Sequence, residues 1–180
     1  MQSQRHSSHM VRVYNNIFSN ELCDNLINLF ENSVEQHEYF NNNHRPCFTQ
    51  LNLNQYHMNV VRNLIPYVQQ VYSKYKTKFL PELSSLEEFR IKRYLTNGDE
   101  RFDEHVDVTN YSTARRVVAF IFYLNDNNGN TVFSSQDLNI RPECGKVLVF
   151  PPTWEYPHSG LPPSNYPKYI LSTYIHYGTN

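Results

Sequence analysis

The residues most able to do chemistry are two histidines and an aspartate in the second half of the sequence. His105 and Asp107 are two positions apart, so in an extended strand both side chains lie on one face and can bind the same cation. A chain of this composition contains about 0.3 such His-x-Asp triplets by chance. On its own, the triplet could therefore be an ordinary hydrogen-bonded pair at the surface.

His158 favours a metal site over that surface pair. It follows His105 by 53 residues, after two strong strand patterns and two turns, so an antiparallel fold can return it to the first pair. Two imidazoles and one carboxylate on one side of a metal leave three coordination positions open, as in non-haem Fe(II) enzymes that admit a co-substrate and O2. Zinc sites are usually more closed or richer in sulfur. We therefore predict an iron site formed by His105, Asp107 and His158.

Lys168 is a fourth residue whose side chain could take part in the chemistry. It follows His158 by ten residues and opens a run of aromatic and β-branched residues that is typical of a strand. From there it could project into a barrel and pair with a buried carboxylate, because an unpaired ammonium in such a place would be costly. The alternative is a solvated lysine in a loop rich in proline, serine and tyrosine.

The elements that must position these residues change character halfway along the chain. In the first half, apolar residues recur at helical spacing after Ser19, a suitable N-cap, and again from about His57 to Phe79. After Leu86 the sequence has short strand-type runs separated by turn residues. These runs are Phe89–Leu95, Arg116–Leu124, Thr131–Phe133, Lys146–Phe150 and Tyr169–His176. They indicate a sandwich or jelly roll, so we expect an α+β fold, helical over about 19–80 and β over about 86–177.

Composition limits the function classes. A chain of 180 residues is expected to form one domain, over 11–180. With 16 Lys+Arg against 17 Asp+Glu, its net charge gives no reason to expect a nucleic-acid or anionic-membrane partner. Mean hydropathy is −0.63, and the longest apolar run is far shorter than a membrane span. An odd number of cysteines, three, without metal-type spacing favours a cytoplasmic or otherwise reducing intracellular compartment.

Residues 1–10 are set apart from the fold. Their His-Ser-Ser-His-Met run is typical of an expression-tag remnant, and we expect this segment to be disordered. His6 and His9 are therefore excluded as ligands.

The ordered set of His105-x-Asp107, His158 and Lys168 resembles the Fe(II)/2-oxoglutarate-dependent dioxygenases of the prolyl 4-hydroxylase type. The resemblance extends over 89–177 and includes Arg93-Tyr94 before the first histidine. Flanking segments that agree are 116–125, 129–133, 142–150 and 158–162. The resemblance implies a double-stranded β-helix, which is a jelly-roll or cupin-like core, with N-terminal supporting helices.

The resemblance also implies roles for individual residues. In that family, tyrosines matching Tyr94 and Tyr123 line the co-substrate pocket, and the basic residue matching Lys168 binds the distal carboxylate of 2-oxoglutarate. A hydroxyl four positions further on, here Ser172, often assists. Tyr94 and Tyr123 could also be ordinary strand aromatics, since the chain has 14 tyrosines.

The implied reaction is hydroxylation of an unactivated C–H bond. It would use Fe(II), 2-oxoglutarate and O2, with ascorbate as reductant, and release succinate and CO2. A prolyl residue in a peptide or protein is the implied substrate; a free amino acid, a lysyl side chain and a small metabolite are alternatives. The retained Asp107 favours hydroxylation over halogenation, because family halogenases lack this carboxylate. A different class of function, a non-catalytic jelly-roll binding module, would not need the complete set of ligands.

Three further residues are candidates for binding the substrate. If Tyr94 points inward from its strand, Arg90 and Lys92 share its face and could meet an acidic group of the substrate. The alternative is a solvated position at the mouth. Trp154 could flank a peptide groove, or could simply pack its own proline-rich loop.

Overall fold

The computed structural model describes residues 10–42, 46–83, 85–96 and 98–178. Most of the predicted tag remnant, 1–9, with His6 and His9, lies outside the described residues. The helices are α1 Asn20–Glu31, α2 Leu53–Tyr56 and α3 Met58–Tyr75. The strands in chain order are β1 Arg12–Tyr14, β2 His37–Asn41, β3 Cys47–Asn52, β4 Ser85–Leu86, β5 Arg90–Tyr94, β6 Phe102–His105, β7 Arg116–Tyr123, β8 Thr131–Phe133, β9 Leu138–Ile140, β10 Val147–Phe150, β11 His158–Gly160 and β12 Lys168–His176.

The helices follow the sequence pattern closely. Ser19 caps α1 as predicted, because its hydroxyl oxygen accepts a hydrogen bond from the backbone N–H of Leu22 at 3.1 Å. The longer helix α3 buries one apolar side, with Val61, Leu64 and Val68 in the core. Both helices pack on one face of the larger sheet and cover it.

The larger sheet is antiparallel and has the strand order β1-β10-β7-β12-β5-β3-β2, with β4 paired to β12. Its interior strand β7, between β10 and β12, has both faces buried. Because side chains alternate along a strand, Val118, Phe120 and Phe122 face the helices, whereas Ala119 and Tyr123 face the second sheet. A strand covered on both sides reads as one continuous apolar run, which explains the strong sequence signal.

The second sheet has the order β6-β11-β8-β9 and packs against the inner face of the first. Two antiparallel sheets face to face form the predicted jelly roll. His105 at the end of β6 and His158 at the start of β11 are paired directly across these two strands. The end of β6 and the start of β11 therefore bring the two histidines next to each other.

The expectation of a helical part over about 19–80 needs correction. Strands β2 and β3 lie between the helices and extend the large sheet, with β3 pairing to β5. The sequence of β3, with its Thr, Gln and Asn residues, lacks a strand signature, and β5 supplies the hydrogen-bonding edge that orders it. Within the described ranges, no helix is long and apolar enough to cross a membrane.

Candidate active site

The three predicted metal ligands meet in one cluster. Ligand atoms of His105, Asp107 and His158 all lie within 4.8 Å of one another. His105 Nε2 is 3.5 Å from Asp107 Oδ1, and His158 Nε2 is 3.7 Å from Asp107 Oδ2. Both imidazoles thus direct the same nitrogen at the carboxylate, which is the arrangement that a shared cation requires.

Each histidine is held in the tautomer that leaves this nitrogen available. His105 Nδ1 is 2.8 Å from the carbonyl oxygen of Asp103, and His158 Nδ1 is 3.1 Å from that of Tyr156. A carbonyl can only accept, so Nδ1 donates in both cases, and neutral Nε2 keeps its lone pair for a metal. The ring of Phe102 stacks on that of His105 with centroids 3.5 Å apart and fixes the ring plane.

Asp107 is kept charged in spite of burial. Burial would raise its pKa, but the neighbouring side chains of His105, His158 and Lys92 outweigh this and lower the pKa to about 2. Burial lowers the pKa of His158, which favours its neutral, metal-binding form. The hydroxyl of Tyr174 also lies beside Asp107, and burial together with this carboxylate raises the tyrosine pKa.

Lys168 is buried, and it lines the same cavity as the three ligands. Its Nζ donates to the backbone oxygens of Gly129 at 2.9 Å and Leu161 at 3.0 Å, and lies 4.5 Å from the centre of the Tyr94 ring. Burial lowers its pKa to about 7. Within the described residues, no carboxylate forms an ion pair with it. The sequence analysis offered a buried carboxylate as its partner, and the described residues supply two backbone oxygens instead.

The predicted co-substrate residues take different positions around the cavity. Tyr94 and Ser172 line it together with Lys168. Tyr123 does not: it is fully buried behind the wall, and its hydroxyl donates to Thr131 Oγ1 at 2.8 Å. Thr131 is the residue that faces the cavity, so Tyr123 can act on a ligand only through this hydroxyl.

The three substrate candidates also differ in position. Lys92 lines the inner cavity and a larger depression outside it, whereas Arg90 lines only the depression. The inner cavity has a volume of about 40 Å³ and the depression about 420 Å³. Trp154 lines neither; its side chain is 78% exposed, on a turn closed by the backbone bond from Tyr156 to Thr153. The structure therefore does not bring Trp154 to the site.

Sequence reasoning missed several residues that face the cavity. Tyr174 is the most important, and the period of two along β12 could have found it, because Lys168, Ile170, Ser172 and Tyr174 lie on one face. Thr131 gave no signal beyond its strand type. The apolar wall is formed by Phe102, Ile121 and Ile170.

Comparisons with known proteins agree with this site. Residues 89–176 match the model of the family described as the 2OG-Fe(II) oxygenase superfamily, in which 2OG is 2-oxoglutarate. This confirms the resemblance predicted from the ordered ligand set. No curated protein matches the sequence.

Solved structures with the same fold include three prolyl hydroxylases. A viral collagen prolyl hydroxylase from Paramecium bursaria Chlorella virus 1, in a 2-oxoglutarate complex, is 18% identical with a TM-score of 0.70, covering 96% of this chain and 98% of that one. A prolyl-4-hydroxylase from Pseudomonas putida is 16% identical with a TM-score of 0.78, covering 96% and 95%.

The third comes from Trichoplax adhaerens and is in complex with a peptide fragment of the hypoxia inducible factor oxygen degradation domain. It is 14% identical with a TM-score of 0.78, covering 94% of this chain and 84% of that one. At these identities the likeness establishes the double-stranded β-helix fold.

Proposed function

Since residues 89–176 match the 2OG-Fe(II) oxygenase superfamily and the fold is that of prolyl hydroxylases, we propose that this chain is an Fe(II)- and 2-oxoglutarate-dependent dioxygenase. Its substrate on this proposal is a prolyl residue in a peptide or protein. One observation carries the proposal: the cluster of His105, Asp107 and His158 opens into the same cavity as the buried ammonium of Lys168.

The donor set fits Fe(II). Two neutral imidazole nitrogens and one carboxylate, all within 4.8 Å, match the two-histidine, one-carboxylate face that non-haem Fe(II) enzymes use. When bound here, Fe(II) with 2-oxoglutarate and O2 would supply the oxidising power for C–H hydroxylation, with succinate and CO2 as products. His105, Asp107 and His158 would hold the metal, while the carbonyls behind the imidazoles keep both rings oriented.

The basic end of the cavity fits the distal carboxylate of 2-oxoglutarate. Lys168 has a buried charge whose partners here are two backbone oxygens, so a carboxylate would give it a charge-assisted hydrogen bond. The hydroxyls of Tyr94, Ser172 and Thr131 are further donors on the same wall.

The remaining wall protects the reaction. Phe102, Ile121 and Ile170 line the cavity with apolar groups and exclude water from the space beside Asp107. The outer depression, at about 420 Å³ and with mostly polar lining residues, leads from this space to the surface. A segment of peptide fits it better than it fits the inner cavity, which supports the peptidyl substrate.

The test is turnover with defined partners. Purified protein with Fe(II), 2-oxoglutarate and ascorbate should form succinate, and a proline-rich peptide library should contain products heavier by one oxygen atom in mass spectrometry. His105→Ala and Asp107→Ala should each abolish both signals, whereas Glu35→Gln, at an exposed position that lines neither the cavity nor the depression, should keep them. Succinate formation that persists in both alanine variants would refute the assignment of the metal site.

Succinate without any hydroxylated peptide would have a different meaning. It would leave the dioxygenase in place and contradict the prolyl substrate. Omission of ascorbate in the same assay tests the reductant: activity should decline over repeated turnover without it.

A further inference from the structure

Strand β5 carries three successive inward positions that run from the inner cavity to the surface. Tyr94 lies beneath the Lys168 ammonium, Lys92 lines both the cavity and the outer depression, and Arg90 lines the depression alone. In register, Tyr94 pairs with Lys168 and Lys92 with Ile170. Since two residues of a strand span about 7 Å, Lys92 lies one step nearer the mouth than the proposed 2-oxoglutarate end.

Two of the three cations around the outer depression already have carboxylate partners. Arg116 binds Glu87 at 2.6 Å and also donates to the backbone oxygen of Asp107. Arg90 is 3.1 Å from Glu87 and is also paired with Glu88. The acidic residue Glu38 accepts a hydrogen bond from Gln50. These charges are therefore largely matched within the wall itself.

Lys92 differs from both arginines. Its Nζ lies 5.0 Å from the centre of the Phe48 ring, and within the described residues no carboxylate forms an ion pair with it. The negative group whose field acts on it most is Asp107, which in the proposed function is committed to the metal. A largely buried ammonium with only an aromatic face for a partner is costly, so a ligand carboxylate here would be favourable.

We propose that Lys92 binds a carboxylate of the substrate and makes this site selective for anionic substrates. This inference rests on the proposed function and deepens it, since it names the charge that the substrate carries close to the reacting carbon. On this proposal the two lysines bind different carboxylates. Lys168 binds the distal carboxylate of the co-substrate at the inner end of the cavity, and Lys92 binds the carboxylate of the substrate where the cavity meets the depression.

The carboxylate could come from two sources. It could be the α-carboxylate of a free amino acid or the side chain of an Asp or Glu that flanks a proline in a peptide. Two matched pairs of probes separate them. One pair is an N-acetylated, C-terminally amidated hexapeptide with Glu next to its proline and the same peptide with Gln; the other is L-proline and L-prolinamide.

Binding should be measured without turnover, by calorimetry on the full chain with 2-oxoglutarate and with Mn(II) in place of Fe(II). For one pair, the acid should bind wild-type protein at least about tenfold more tightly than its amide, as a charged hydrogen bond of typical strength implies. Lys92→Met should reduce that preference to less than about twofold, and Lys92→Arg should retain part of it. Lys74→Met, on the exposed side of α3, should keep the full preference.

Three outcomes would overturn the inference. The first is a preference for the acid that is undiminished in Lys92→Met. The second is the lack of any preference for the acid in both pairs with wild-type protein. The third is a loss in Lys92→Met that is confined to 2-oxoglutarate affinity, which would assign Lys92 to the co-substrate. Circular dichroism of each variant confirms the fold, and Lys92→Arg gives a second reading if Lys92→Met is unstable. The succinate assay separates a failure of this inference from a failure of the proposed function. Succinate formation that depends on His105, without a preference for the acid, would support the dioxygenase and contradict only the role of Lys92.

Discussion

His158 lies directly opposite His105 where β6 and β11 pair, and the two rings are 4.4 Å apart between centroids. Both strands are short, four and three residues, and their register shifts between His158 and Gly160. Few backbone hydrogen bonds therefore hold the two ligands together. A metal ion between them would add a cross-link at this short pairing.

We expect metal binding to raise the thermal stability of the protein. At a free metal concentration one hundred times the Kd, linkage gives about 2.7 kcal/mol, which is a rise in Tm of about 5 to 10 °C for a domain of this size. Thermal unfolding with and without Mn(II) measures it. His105→Ala should show no shift, and an equal shift in that variant would mean that the metal stabilises the protein from another site.

Tyr174→Phe tests the residue that supports Asp107. Its hydroxyl lies beside that carboxylate, and its loss should weaken metal binding by about tenfold, the usual scale for a partner of a ligand. Titration of Mn(II) against the change in Tm gives the affinity. Tyr166→Phe, which removes a hydroxyl from an exposed ring, is the matched control and should leave the metal affinity unchanged.

Glu87 should make stability depend on acid pH. Burial would raise its pKa, but hydrogen bonds from Arg116 and His176 outweigh this and lower it to about 2. A depressed pKa contributes stability that is present above about pH 4.5 and is lost as pH falls towards 2. Glu87→Gln should therefore cost about 2 to 3 kcal/mol of unfolding free energy at pH 7, and less at pH 3.

Urea denaturation of both proteins at the two pH values gives this difference. Glu35→Gln, at an exposed position, serves as control. A cost for Glu87→Gln that stays the same at pH 3 would show that shape and packing, and not charge, account for the loss.

The elements that the sequence predicted well are those buried by many partners. Strand β7 was predicted as Arg116–Leu124 and observed as Arg116–Tyr123, because a run covered on both faces is apolar throughout. Strands β6 and β11 were not predicted. They are built from polar site residues such as Asp103 and His158, so function replaces the apolar pattern that marks a strand.

The same contrast applies to the site. The ordered set predicted that His105, Asp107 and His158 come together, and the pairing of β6 with β11 places the two histidines. Asp107 does not lie in the expected strand, because β6 ends at His105, and its backbone N–H donates instead to the carbonyl oxygen of Pro152. Nearness along the chain was misleading for Trp154, because the turn before His158 directs this side chain to solvent. Side-chain direction in an irregular segment depends on contacts that a sequence period does not encode.

Lys168 should make 2-oxoglutarate binding depend on pH. Burial lowers its pKa to about 7, and only the ammonium form attracts a carboxylate. The apparent Kd for 2-oxoglutarate should therefore rise by about tenfold for each pH unit above 7. Lys168→Arg should remove this dependence, because guanidinium stays charged. Isothermal titration with Mn(II) present measures it, and a flat wild-type profile would contradict the role of Lys168.

Lys168→Met should separate binding from stability. The variant should lose at least about tenfold in 2-oxoglutarate affinity, since a charge-assisted hydrogen bond disappears. It should also unfold less readily at pH 7, by about 1 to 4 kcal/mol, because a buried ammonium without an acidic partner is replaced by an apolar chain of similar length. The sign of the pH effect follows from the lowered pKa: wild-type protein carries the full cost below about pH 7 and none of it well above the ordinary lysine pKa of 10.5. Urea denaturation at pH 7 and pH 10 should therefore show the unfolding free energies of the two proteins converging at the higher pH. A variant that is less stable than wild type at both pH values would mean that Lys168 stabilises the fold and does not bind a ligand.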